Sequence, residues 1–515
     1  MHKDVIFIAY QNQENLGVGY LSSFLASKGY QTEIIDWNDD SETIYQRIRD
    51  SAPKIVGFSL IFQYDFNKLC EISDILRKKG VNSHFTVGGH YPSLRYESVL
   101  DNANSIDSVV RFEGEITLWE LVKALETGKN WKEVIGLAYR SDGVNESNEL
   151  RPLIPNLDTL PHPHRYYYKE YSCMGVNCTF ILGSRGCYRN CSFCSIRAFY
   201  GSPPGKLRRT RSPEKIVDEM EELYNKNIKV FLFQDDDFFS PGPEGQKWAR
   251  EFLSELNKKE FTKDILWKIN CRTDEVKQGF FDELKKAGLF QVYLGIESGN
   301  AEGLKVINKQ LKVEDNLRGV NILKKIGLKY DFGFMLFDPI STVDTVHENI
   351  SFLRTICGDG SSPIIFCKML PYAGTPIEKQ LINEGRLFGG IVDPDYKFLS
   401  PEIDSYYDFV TLAFNEYIGP QGLYPNMRWH MLEVSVIEKF YSGITGLDDY
   451  KEAFRERIEE SNIVALDTLE TSLRLFENGV EGGSLVEIRN TLIKKQREIK
   501  SNMLKEMKAF RDRNN

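Results

Sequence analysis

Cys187, Cys191 and Cys194 fall within eight consecutive positions in the order C-x-x-x-C-x-x-C, inside the stretch GSRGCYRNCSFCSIRAFYG. Thiolates so close in sequence must share one loop, where they can bind three irons of a cubane and leave the fourth without a protein ligand. An open iron can take the amino and carboxylate groups of S-adenosylmethionine and pass one electron into its sulfonium. That cleavage releases a carbon radical able to take hydrogen from unactivated carbon. A structural zinc site would want a fourth Cys or His nearby, and between Phe180 and Ile265 there is none beyond these three. The remaining cysteines, Cys70, Cys173, Cys178, Cys271, Cys357 and Cys367, are scattered and read as small buried hydrophobes. A total of nine suits a reduced compartment and a metal better than a disulfide framework.

Elements able to position such a loop follow on either side of it. Short apolar runs at residues 179–182, 229–233, 266–270, 291–295, 330–336 and 363–369 predict six strands separated by helical patterns. One helix opens at Ser212-Pro213 as N-cap and N1, with Ile216, Val217, Met220, Leu223 and Tyr224 on one face. Alternation of this kind closes most simply as a parallel partial barrel with its chemistry at the strand C-termini. An earlier series, with strands at 5–9, 32–36, 55–59, 85–89 and 108–111 and helices around Leu16 to Leu25 and Leu69 to Leu76, predicts a doubly wound, flavodoxin-like or Rossmann-like domain. Its ligand crevice should form where Gln11 to Gly17, Ser59 to Tyr64, Gly88-Gly89-His90 and Glu113-Gly114-Glu115 meet. The resulting layout is a doubly wound domain at 1–140, a Pro-rich linker at 141–175, the barrel at 176–384 and a mainly helical region at 385–515. In the last helix Leu485, Ile488, Leu492, Ile499, Met503, Met507 and Phe510 recur three to four apart, as a packed stripe does.

The text around the cysteines resembles the radical S-adenosylmethionine superfamily, and its cobalamin-binding branch in particular; NLGVGYLSSFL, VGFS, VGGHYPS and RFEGE in the first domain resemble the same branch. The resemblance implies three cofactors: a 4Fe-4S cluster, S-adenosylmethionine and cobalamin. It places Phe193 by the adenine, Asp235 or Asp236 at the methionine ammonium, Arg272 and then Glu297 and Ser298 at the carboxylate and ribose, and the backbone at Leu370 against the adenine. These residue types suit those tasks, since a carboxylate forms a charge-assisted bond to an ammonium and Arg binds a carboxylate through two N–H groups. The fifth strand ends MLFDPIST, with Phe337-Asp338 where the family often has glycine. For cobalamin the resemblance points to Leu16, Gly17, Ser59, Gln63, Gly88, Gly89, His90, Glu113 and Gly114. The Asp-x-His-x-x-Gly signature of histidine-ligated cobalamin is absent, so a base-off cofactor without a histidine ligand is expected. His90, alone in a Gly-Gly-His turn, reads as a hydrogen-bonding loop residue rather than a cobalt ligand.

These implications favour methylation of an unactivated carbon or phosphorus in a small metabolite or natural-product intermediate, with one S-adenosylmethionine as methyl source and a second as radical source. Cobalamin-dependent rearrangement, cyclisation or oxidation stays open beside it. A methylthiolating tRNA enzyme would need three cysteines before residue 150, where only Cys70 occurs. A plain cluster or corrinoid carrier would not need Phe193, Asp235, Arg272 and Glu297 together. A dinucleotide site lacks its G-x-G-x-x-G after the first strand. Hydrophobic residues make up 41% of the 515, enough for large cores, and a net charge of -9 argues against a nucleic-acid footprint. No signal peptide or spanning run is read, so a cytoplasmic enzyme is expected, served by an electron donor such as a flavodoxin or ferredoxin.

Overall fold

Short strands of three to five residues, led by the fully apolar Val5–Ala9, set the first sheet. Residues 2–11, 14–165, 171–441, 443–479 and 482–514 are described by a computed structural model of the chain. Strands β1 (Val5–Ala9), β2 (Thr32–Asp36), β3 (Ile55–Ser59), β4 (His84–Gly88) and β5 (Ser108–Val110) pair in parallel in the order β2-β1-β3-β4-β5. β1 is buried along its whole length, as a central parallel strand covered on both faces must be. Its alternate side chains enter two cores. Ile6 and Ile8 join Val56, Phe66, Leu69 and Phe85 on one face, while Val5, Phe7 and Ala9 join Leu25, Leu118 and Leu121 on the other. Each such fully buried side chain is worth about 1.5–3 kcal/mol.

Two antiparallel strands, β6 (Leu137–Ser141) and β7 (Val144–Ser147), extend this sheet past residue 140. The chain was expected to become a linker there. Instead Asp142 and Gly143 take φ of 50° and 79°, the left-handed pair of a two-residue hairpin turn, and carry it back for one more strand. Part of the expected linker, 166–170, lies outside the described residues, as do 12 and 13 of the expected crevice.

The chain divides into two compact units. Unit 1 holds this sheet and comprises Met1–Tyr171, Thr179–Glu219 and Pro371–Asp395. It includes a small antiparallel ribbon of β10 (Ser184–Arg185) and β11 (Arg209–Thr210), which follows β8 (Ser172–Cys173) and β9 (Val176–Ile181) in the chain. Unit 2 comprises Ser172–Cys178, Met220–Leu370 and Tyr396–Asn515. There β12 (Ile228–Phe233), β13 (Leu266–Cys271), β14 (Leu289–Glu297), β15 (Lys329–Phe337) and β16 (Cys367–Lys368) run in parallel, with β9 and β8 completing the sheet order β16-β15-β14-β13-β12-β9-β8. Helices between the strands make this the expected partial barrel. The sixth barrel strand is shorter than expected. Pro363 has no N–H to give a ladder, and Ile364 donates its N–H to Asn462 Oδ1 at 2.9 Å instead.

The C-terminal region is helical, with helices Pro401–Ile418, Leu423–Phe440, Leu447–Glu477 and Gly483–Asn514. Leu492, Ile499, Met503 and Phe510 of the expected stripe are buried, and Phe510 stacks on Tyr450 at 4.1 Å between ring centres.

Candidate functional site

In unit 1 the three cysteines follow β10 directly, before helix Ser195–Gly201. The loop opens at Gly186, whose φ is 79° and where a Cβ would stand 1.9 Å from the Leu207 carbonyl oxygen, so only glycine fits. Cys191 is buried and Cys187 and Cys194 are half-buried. Arg189 N–H points at Cys187 Sγ at 3.4 Å, and Cys194 N–H donates to the Cys191 carbonyl at 3.3 Å. Phe193 is half-buried beside them. Ile377 N–H donates to the Ser192 carbonyl at 3.1 Å and so anchors the loop to the segment that follows the sixth barrel strand. Three thiols on one loop, with a backbone N–H directed at sulfur, are a donor set whose chemistry fits a cluster with one open iron.

A buried ion-pair network braces the ribbon that carries this loop. Glu113, just past β5, accepts from Arg209 Nη1 at 2.8 Å, Arg185 Nη1 at 3.1 Å and the Ile154 N–H at 2.7 Å. Glu115 accepts from Arg185 Nη2 at 2.7 Å. Burial works to raise the Glu113 pKa, but the Arg185 and Arg209 guanidinium groups hold it below the usual carboxylate range. Gly114 packs on Val110 and Leu21, where a Cβ would come within 3.2 Å of both side chains. His90 stacks on Phe199 of the helix after the cysteines, ring centres 4.2 Å apart, and burial pushes its pKa down to about 4. The imidazole is therefore neutral and packed. A second network joins Arg165 to Glu14 at 3.0 Å and to Glu219 at 2.6 Å. Neither Arg185, Arg209 nor Arg165 was read from the sequence, because a buried pair of opposite charges far apart in the chain leaves no local signal.

The expected crevice lies at the C-terminal ends of β1, β3 and β4. Gly89 has φ of 121°, and a Cβ on it would stand 2.1 Å from the Leu60 carbonyl oxygen, so the loops after β3 and β4 meet at backbone distance. Gly88 approaches the Val110 carbonyl, with 3.3 Å left for a Cβ. Asn15 Nδ2 donates to Ser59 Oγ at 3.4 Å; Leu16 is buried, whereas Gly17 is exposed. Gln63 is engaged within the unit, donating to the Ile391 carbonyl at 3.0 Å and accepting from the Ala373 N–H at 3.3 Å. Two features fit a large planar ligand. Buried Gln11 Nε2 has no partner among the described residues. Tyr10, Ile61, Phe62 and Tyr64 leave apolar surface bare around the same strand ends.

Unit 2 carries the strand-end residues. Asp235, after β12, is fully buried, with its carbonyl accepting from Asn270 Nδ2 at 3.0 Å; Asp236 is exposed. Arg272 donates to Asp274 at 3.0 Å and to the carbonyls of Lys309 at 2.8 Å and Gln310 at 3.3 Å. Glu297 sits at φ of 68°, an unusual value for a residue with a side chain, and its carboxylate pairs with Lys309 Nζ at 3.0 Å. Ser298 is buried and hydrogen-bonded to Asn349 at 3.3 Å. Asp338, in place of the family glycine, closes the turn after β15 by accepting from Ile340 N–H at 2.9 Å. Leu370 is exposed. Lys309 escaped the sequence reading because it follows a helix rather than a strand.

Comparison with known proteins matches this organisation. The B12 binding domain family covers residues 3–122, and the Radical SAM superfamily covers residues 181–353. An uncharacterised methyltransferase of Pyrococcus horikoshii is 30% identical over 72% of this chain and 79% of its own length. The chain belongs to the cobalamin-binding radical S-adenosylmethionine enzymes. The cofactors of this family, a 4Fe-4S cluster, S-adenosylmethionine and cobalamin, are therefore its cofactors. An anaerobic magnesium-protoporphyrin IX monomethyl ester cyclase of Rubrivivax gelatinosus is also 30% identical, over 65% of this chain and 61% of the cyclase. Among solved structures, the cobalamin-dependent S-adenosylmethionine radical enzyme OxsB, with aqua-cobalamin and S-adenosylmethionine bound, shares the fold. Its TM-score is 0.72 at 19% identity, covering 98% of this chain and 81% of OxsB. Among the described residues no helix is long and apolar enough to cross a membrane.

Proposed function

We propose that this radical S-adenosylmethionine enzyme methylates an unactivated carbon, or a phosphorus, of a small metabolite or natural-product intermediate. The observation that carries the reading is the build of unit 1, where the crevice loops and the cysteine ribbon are one packed body. Glu113 grips Arg185 and Arg209 of the ribbon, and His90 lies flat on Phe199. Two reactive groups held on one rigid support can meet a substrate in a fixed geometry, which is worth several kcal/mol of barrier (about 7–11 at the upper end). When bound, cobalamin supplies a methyl carrier, and the cluster with S-adenosylmethionine supplies a carbon radical.

The chain's residues take the remaining roles. Cys187, Cys191 and Cys194 hold three irons, and Phe193 backs the adenine. Asp235 or Asp236 receives the methionine ammonium, with Ser298 and Leu370 lining the nucleoside. Arg272 has five N–H bonds, of which three are engaged among the described residues, and the guanidinium is the group for the methionine carboxylate. Glu297 accepts from ribose hydroxyls while Lys309 fixes its carboxylate. Leu16, Gly17, Ser59, Gly88 and Gly89 border the corrinoid, with Tyr10, Phe62 and Tyr64 against its apolar face. Gln63, His90, Glu113 and Gly114 act one step back, by holding those loops in place. Oxygen-sensitive chemistry of this kind suits the cytoplasm and a flavodoxin or ferredoxin as one-electron donor.

Similarity to the cyclases favours a second reading, ring closure or oxidation without methyl transfer. One assay separates the two: reconstituted enzyme is incubated anaerobically with S-adenosylmethionine, hydroxocobalamin and a strong reductant, and adenosine products are quantified by mass spectrometry. Methyl transfer yields both S-adenosylhomocysteine and 5'-deoxyadenosine. Appearance of 5'-deoxyadenosine alone supports the second reading, and neither product from enzyme with an intact cluster defeats both.

A further inference from the structure

Half-way along the partial barrel of unit 2, neighbouring strands turn polar residues to one face. Asn270 of β13 stands opposite Tyr293 of β14, and Tyr293 opposite Asp331 of β15. Residues paired in this way share a face, and Lys268, two positions before Asn270, shares it too. Helix Leu423–Phe440 brings two more groups. Arg428 Nε pairs with Asp331 Oδ2 at 2.5 Å, and Tyr424 Oη donates to Asp331 Oδ1 at 3.4 Å. The Asp331 side chain is 1% exposed, whereas that of Arg428 is 44% exposed.

Lys268 lies on the same face as Asn270. Among the described residues its Nζ makes no hydrogen bond or ion pair, and its contact is with the Tyr293 ring, 5.5 Å from the centre. Two cations, Lys268 and Arg428, thus face one anion, Asp331, leaving a positive charge in surplus. Burial and the nearby Arg428 push the Lys268 ammonium down to about 8, with Asp331 acting the other way. One layer nearer the strand C-termini, Gly295 stands opposite Gly333, and a Cβ on Gly333 would come 2.6 Å from Tyr293 Oη and 3.4 Å from Glu297 Oε2. The missing side chains make room for the Tyr293 hydroxyl, the Glu297 carboxylate and the Lys309 ammonium. Cys367 of β16 is exposed, yet burial pushes its thiol up to about 12. A group that solvent reaches but barely hydrates lines a recess rather than an outer surface.

We propose that this recess seats an anionic group of the substrate, a phosphate or a carboxylate, against Lys268 and the exposed part of Arg428, so that the substrate is a negatively charged small molecule. The proposal rests on the reading of a small-molecule enzyme given above. A buried ammonium without a partner is costly in the free protein, and an incoming anion that pairs with it recovers that cost on binding. Arg offers a planar fork and Lys a point charge, a combination that suits either oxyanion.

The test uses holoenzyme saturated with S-adenosylmethionine under anaerobic conditions. Trace acetylation of Lys268 is followed by peptide mass spectrometry while pyrophosphate, succinate or chloride is added at equal ionic strength. We expect at least about fivefold protection, or roughly 1 kcal/mol of binding, from pyrophosphate or succinate and none from chloride; which of the two protects tells phosphate from carboxylate. Asp331→Asn frees Arg428 and should shift protection to lower anion concentration, a gain that a purely structural role would not give. Lys268→Met, read by calorimetry with the protecting anion, should abolish binding. Equal protection by chloride, or no protection by any anion, overturns the proposal. Complete protection by S-adenosylmethionine alone also overturns it, because Lys268 would then serve the co-substrate. None of these readouts depends on methyl transfer, so failure here is distinct from failure of the adenosine-product assay.

Discussion

Replacing Glu113 by alanine removes the acceptor shared by Arg209, Arg185 and the Ile154 N–H, at 2.8, 3.1 and 2.7 Å. Charge-assisted bonds contribute about 1.5–3 kcal/mol each, and a sum over three would overstate the effect because Arg185 keeps its 2.7 Å bond to Glu115. Arg209 fares worse, since its side chain is 2% exposed and would be left as a buried charge without this partner. Breaking one side of a buried ion pair costs about 3–5 kcal/mol. For a unit of roughly 150–250 residues, each kcal/mol moves the midpoint by about 2–4 °C, so unit 1 should unfold roughly 6–20 °C lower. Thermal unfolding of the apoprotein by circular dichroism reads that shift, and iron content after reconstitution reads its consequence for the cysteine ribbon. A pH series adds a sign. Because the folded-state pKa of Glu113 is held below its unfolded value of about 4.3, the pair contributes fully above that pH and fades as pH falls through the folded value. The gap between the parent protein and Glu113→Ala should therefore narrow below about pH 4. A loss under about 1 kcal/mol, or a gap that stays constant through acid, would refute the bracing role.

Cys191→Ala should leave the fold and circular dichroism unchanged while removing bound iron and 5'-deoxyadenosine formation; retained cleavage of S-adenosylmethionine in that variant would sink the assignment of the thiolate loop. Gly89→Ala forces a Cβ to 2.1 Å from the Leu60 carbonyl oxygen at a φ of 121°. It should cost at least about 1–3 kcal/mol in denaturant unfolding and release bound corrinoid, measured by absorbance of the desalted protein. Wild-type corrinoid retention would show that the two loops are free to part.

How much was legible in the residues follows from how local each signal is. The thiolate loop is one short segment, β1 is an unbroken apolar run and β3 and β12 are mostly apolar, so their existence and order could be read directly. The Asp142-Gly143 hairpin was equally local, and a linker reading based on the following prolines passed over it. The short sixth strand needed Asn462, nearly a hundred positions away, to take the Ile364 N–H.

By itself, then, the sequence determined the chemistry on offer: three thiolates on one loop, a parallel sheet with a crevice, and a barrel with polar strand ends. Tertiary structure alone decided which of those polar groups are engaged. It made Glu113 the clasp of the cysteine ribbon, packed His90 on Phe199, gave Glu297 a partner in Lys309 and, among the described residues, left Lys268 without one. Charge pairing acts through space over a few ångströms and depends on burial, and neither distance nor burial between residues far apart in the chain is encoded at any single position.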